Sequence, residues 1–130
     1  PPEGTGTVGP VATFSPSTST DGLALSTSGS FCGYEGDFFA VQFGSFADPA
    51  IGRKVVHVDL RGRRAIVVRD FATGFGRPLD VAVGPDGDLY VAERFDQRVR
   101  RFSLKGKSKG TFIAGLPDMP EFLVHVPDRV

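Results

Sequence analysis

LDVAVGPDGDLYVAERFDQRVRRFSL, residues 79–104, reads as three short strands with turns between them. LDVAVGP (79–85), DLYVAERF (88–95) and RVRRFSL (98–104) are rich in β-branched and aromatic residues and bounded by Gly, Pro or Asp. Between the first two, GPDGD places Pro and Gly where a hairpin must turn. Downstream, SLKGKSKG turns into a fourth strand, GTFIAGL (110–116). Four strands in about forty residues make an antiparallel meander.

Working upstream, the same order returns. GDFFAVQF (36–43) matches GDLYVAER (87–94) in residue type, and KVVHVDLRG (54–62) matches RVRRFSLKG (98–106). RAIVVRDF (64–71) adds another strand, and the loop GSFADPAIG (44–52) lengthens this copy between its second and third strands. Downstream, MPEFLVHVPDR (119–129) echoes RPLDVAVGPDG (77–87) at an offset of about 42 residues. PEFLVHV (120–126) therefore reads as the opening strand of a third unit. The chain divides into an arm (1–20), a first unit (21–75), a second unit (76–116) and a trailing segment (117–130).

Residues 1–30 are crowded with Ser, Thr, Gly and Pro, which disfavour helix, so short strands are expected only at 11–14 and 23–26. The stretch reads first as a loosely ordered arm, with a Ser/Thr-rich surface for O-linked sugar as the weaker alternative. With 17 Gly, 10 Pro, 12 Phe and no Trp in 130 residues, many short strands are expected and long helices are not. Fifteen basic and fifteen acidic residues cancel, which removes the overall field that nucleic acid or an anionic membrane would need, despite local runs at Arg61, Arg63, Arg64 and Arg98, Arg100, Arg101. No run approaches the roughly 18 apolar residues of a membrane-spanning helix. The single cysteine, Cys32, excludes an internal disulfide and reads as a small buried thiol.

A four-stranded meander has two apolar faces and cannot bury both alone, so such units stack radially in propellers or linearly in solenoids. A propeller typically has at least four blades, and two are present. The expected fold is all-β: two four-stranded propeller-type blades and an extra C-terminal strand. Either the chain is a fragment or copies of it complete the propeller, as a trimeric six-bladed ring or a strand-exchanged filament. Phe122, Val124 and Val126 on the trailing strand would carry self-association.

GRPLDVAVGPDGDLYVAERFDQRVRRFSLKG (76–106) resembles an NHL-type propeller blade, and the span 21–92 is similar to the C-terminal blades of quinoprotein glucose and sorbosone dehydrogenases. The resemblance implies six blades around a pyrroloquinoline quinone (PQQ) with a calcium ion, a histidine base and several arginines. On that implication Arg77 is a quinone contact, whereas Leu79 stands where some members carry a further arginine and Phe43 where a basic or imidazole group is usual. The blades that would hold the base and the calcium ligands have no counterpart, so the single chain is not expected to be a complete enzyme or to require a cofactor. PQQ and calcium belong to the alternative in which it is part of a dehydrogenase. The resemblance also implies a secreted or periplasmic setting.

Ligand candidates are the residues at strand ends and loops: Gln42, Phe43, Asp80, Glu93 and Arg94, facing a small molecule or sugar. A surface ion pair is the default reading of Glu93, Arg94 and Asp96, and Arg77 with Asp80 could order the loop between blades. Asp86-Gly87 reads as a hairpin turn, since calcium needs about six oxygen ligands. His57 and His125 read as strand-face residues without ligand partners, and Glu35 and Asp37 are not marked as an acid/base pair. The loop 44–52, with Phe46 and Ile51, is expected to pack across the neighbouring blade rather than line an axial pocket.

Overall fold

The computed structural model describes residues 6, 9–26, 36–61, 64–103 and 106–124. Cys32, Glu35, Arg63, His125 and Val126 lie outside them. Among the described residues, eight strands form two four-stranded antiparallel sheets, each in simple sequential order. The first holds β1 (Thr20–Leu25), β2 (Phe38–Gln42), β3 (Lys54–Arg61) and β4 (Arg64–Thr73). The second holds β5 (Pro78–Val83), β6 (Leu89–Glu93), β7 (Arg98–Phe102) and β8 (Ser108–Ile113). Among the described residues no helix is long and apolar enough to cross a membrane.

The GPDGD turn works as its residues dictate. Gly87 takes φ +82°, its N–H donates to Gly84 O, and the Asp86 carboxylate accepts the Asp88 N–H at 3.0 Å. Val83 then pairs with Leu89 and Ala82 with Tyr90, which puts Val81, Leu89 and Val91 on one face. Those side chains meet Phe39, Val41, Val55 and Ala72 of the first sheet, with Phe75 and Phe102, in one core between the blades. Among the described residues, fifteen hydrophobic side chains are buried to below a tenth of their surface.

β1 packs along β5, so the two sheets fan out from their first strands. Gly22 permits this approach: a Cβ there would lie 2.8 Å from the Asp80 carboxylate and 2.9 Å from the Leu79 carbonyl oxygen. The position falls at a register shift in the β1–β2 ladder.

Two expectations are corrected. Residues 11–14 form no strand; Thr13, Phe14, Ser15 and Thr18 instead wall a pocket with residues of β2, β3 and β4, so their backbone lies against the sheet rather than in it. Residues 120–124 join no ladder either. An extended segment needs a free strand edge to pair with, and here the Leu123 N–H donates to the Asp80 carboxylate at 2.7 Å while Leu123 and Val124 line a groove with β5, β6, β7 and β8.

Candidate functional site

The loops after β2 and before β5 meet at one end of the inter-blade seam. The inserted loop 44–52 closes on itself at its neck, where Gly44 (φ +96°) and Gly52 (φ +76°) approach so closely that no side chain fits at either. Phe46 is thereby carried to Phe43 and to Phe95 of the second blade, with ring centroids 5.5 and 6.5 Å away. The Arg77 guanidinium lies over all three rings, 4.5 Å from Phe46, 5.1 Å from Phe43 and 5.7 Å from Phe95. Its Nη1 donates to Ser45 O at 2.8 Å and to Phe43 O at 3.4 Å. Burial, and then the charge of Arg53, lower its pKa from the ordinary arginine value.

Beside this stack opens a cleft of about 460 Å³ lined by Ser17, Ser19, Asp21, Phe43, Phe46, Leu79 and Arg94, among others. One wall is polar: the Ser19 hydroxyl donates to Asp21 at 2.9 Å, and Arg94 presents a half-buried guanidinium whose Nε has no hydrogen-bond partner. Glu121 approaches Arg94 Nη2 only to 3.7 Å. The other wall is apolar. Such a cleft can hold a small molecule whose acidic group meets Arg94 and whose body rests on Phe43, Phe46 and Leu79.

The sequence-derived candidates separate. Phe43 and Arg94 line the cleft. Asp80 lies in an adjoining hollow with Asp21, Leu79, Glu121 and Phe122, its carboxylate already accepting the Val81 and Leu123 N–H groups. Gln42 faces a different pocket, on the outer side of the first blade. Phe122 and Val124 are both 81% exposed.

Glu93 is fully buried and fully engaged. Arg98 and Arg100 each place Nε 2.7 Å from Oε2 and Nη2 3.2 Å from Oε1, and the Gly76 N–H adds a bond of 2.8 Å. Burial raises its pKa, but the bonds from Arg98, Gly76 and Arg100 outweigh that and hold it below the usual carboxylate range. It is a brace within the second blade that also holds the connection from the first.

Asp37 and His57 make an arrangement that sequence reasoning did not find. His57 Nε2 lies 2.8 Å from Asp37 Oδ2, Asp37 Oδ1 accepts the Leu60 N–H at 2.8 Å, and His57 Nδ1 accepts Arg69 Nε–H at 3.1 Å. The repeat held the signal. Asp88 occupies the place of Asp37 in the second copy and is bonded by Arg101, the counterpart of His57, at 2.6 Å.

Aromatic rings and loop carbonyls surround the Arg77 guanidinium, and no three His, Cys, Asp or Glu side chains converge among the described residues.

Residues 75–102 match the NHL repeat family model. No curated protein is significantly similar to the chain in sequence. A gluconolactonase from Xanthomonas campestris is similar in fold, with a TM-score of 0.59 at 18% identity over 79% of this chain and 30% of its own. A luciferin-regenerating enzyme has a TM-score of 0.54 at 19% identity over 77% of this chain and 31% of its own. The chain thus spans about a third of the length of each.

Proposed function

Since residues 75–102 match the NHL repeat and the fold is similar to that of propeller proteins, we propose that the chain is a self-associating propeller module whose copies stack front to back into a ring with a ligand cleft at each inter-blade seam. One observation carries this reading. Within the chain, the face of β6 and β7 bearing Leu89, Val91 and Phe102 packs on the face of β2 and β3 bearing Phe39, Val41 and Val55. The same two kinds of face are partly open at the ends. On one, Leu23 and Leu25 are 64% and 60% exposed beside the buried Ala40, Val56 and Val58; on the other, Tyr90, Val99, Phe112 and Ile113 share an apolar groove of about 320 Å³ with Leu123 and Val124 of the trailing segment. A molecule that contains a front-to-back contact and leaves part of one front and one back uncovered can associate head to tail, closing if the rotation allows. Covering about 30% of a related fold, three copies would supply about one propeller.

Arg94 with Asp21, Ser17 and Ser19 suits a small hydroxylated acid in the cleft. Light scattering on a sizing column tests the assembly: a discrete trimer is expected, reduced to monomer by Leu25→Asp. A wild-type monomer at all concentrations overturns it.

A further inference from the structure

We propose a second ligand site, in the pocket between the arm and the outer half of the first blade, for a neutral polyhydroxylated molecule the size of a mono- or disaccharide. The inference goes beyond the assembly reading and needs no second copy, because every lining residue belongs to one chain; Gln42, Val56 and Val68 share the strand face of Leu23 and Leu25 that the ring would cover, so binding is read in the Leu25→Asp variant as well as in the wild type. Thr13, Phe14, Ser15 and Thr18 form one side; Gln42, Lys54, Val56, Val68, Arg69 and Asp70 form the other; the enclosed volume is about 370 Å³.

The internal repeat shows what this place contains when it is full. Gln42 stands in the first blade where Glu93 stands in the second, at the end of the second strand of each copy. Its cross-strand partner is Lys54, as that of Glu93 is Arg98, and Val56 takes the place of Arg100. The carboxylate of Glu93 is saturated by those two guanidinium groups. In the first blade both have been replaced by residues that do not reach the amide. Lys54 Nζ turns to Asp70 Oδ1 at 2.7 Å, and Val56 offers no donor. Gln42 is only 2% exposed, and its Oε1 has no hydrogen-bond partner. A buried acceptor left unmade costs about 1–3 kcal/mol, so a group that donates to it binds with advantage.

The chemistry of the walls selects that group. Lys54 and Asp70 set a donor beside an acceptor, which a pair of neighbouring hydroxyls bridges, each giving one hydrogen bond and taking another. Phe14, Ile51, Val56 and Val68 provide apolar surface for the C–H face of a ring. The charges of Lys54 and Asp70 cancel, which suits a neutral ligand. Thr18 donates its hydroxyl to Ser15 O at 3.0 Å and thereby holds the arm against the pocket.

The test is a titration of the isotope-labelled full chain with methyl glucoside, methyl mannoside and inositol, followed by amide NMR. Expected are saturable shifts of the Gln42 side-chain amide and of the Gly52 and Lys54 backbone amides with at least one of them. Gln42→Ala and Lys54→Met should each weaken that binding about tenfold. Arg94→Ala, in the seam cleft, should leave it unchanged. Absence of saturable shifts at these residues overturns the proposal, as do shifts centred on Asp21, Phe43 and Arg94. The wild-type titration decides the matter even if Gln42→Ala fails to fold.

Discussion

Arg69 Nε donates to His57 Nδ1 at 3.1 Å, and this bond sets the tautomer of the imidazole. A guanidinium has no acceptor, so Nδ1 is the acceptor and Nε2 carries the hydrogen that points to Asp37. Asp37 therefore receives two donors, His57 Nε2–H and the Leu60 N–H.

Asp37→Asn puts an amide N–H₂ against one of those donors and should lower stability by about 1–3 kcal/mol in urea unfolding. Arg69→Met frees His57 to move its hydrogen to Nδ1, after which Nε2 can accept from Asn. The double variant should accordingly be less destabilised than the sum of the singles. Strict additivity would refute the tautomer assignment.

Glu93 gives stability its acid dependence. Its folded pKa lies below the ordinary value, so its contribution is complete above the unfolded carboxylate pKa of about 4.3 and is lost as pH falls through the folded value. The urea midpoint should drop on acidification over that window. Glu93→Gln should cost about 3 kcal/mol at neutral pH and flatten the drop, since Arg98 and Arg100 then face a neutral amide.

Arg77 joins the blades through a planar, delocalised cation, stacked on rings and bonded to the Ser45 carbonyl at once. Arg77→Lys keeps the charge but not that geometry and should recover little of the about 2 kcal/mol lost in Arg77→Ala. Calorimetry of the two variants checks this; full rescue by lysine would mean that charge alone matters.

Tyr90 donates to Asp86 at 2.6 Å. Burial, then this bond and the Asp86 charge, push its pKa up to about 12. An acid whose folded pKa is raised stabilises the fold fully below the unfolded value of about 10, and that contribution disappears as pH rises towards 12. The chain has two tyrosines, so phenolate absorbance should show a late step that Tyr90→Phe removes.

The sequence by itself determined the strands and their grouping. Alternation, Gly/Pro/Asp punctuation and the repeat are local signals, and six of the eight strands found among the described residues fall within two residues of where those signals put both ends; β8 ends at Ile113, three residues before Leu116. β1 begins earlier, at Thr20, because its ladder with β2 passes the register shift at Gly22. Tertiary structure alone decided what the side chains do. Glu93 looked like a loop-end ligand residue and is a buried brace, because its two arginines come from the next strand and its third partner, Gly76, from the connection between blades. Asp37 and His57 looked unrelated and are bonded across two strands. Arg94 and Asp21 border one cleft only because Gly22 lets β1 lie against β5. Strand formation depends on a few neighbouring residues, whereas a site depends on which faces two sheets present to each other, and that follows from packing the whole core.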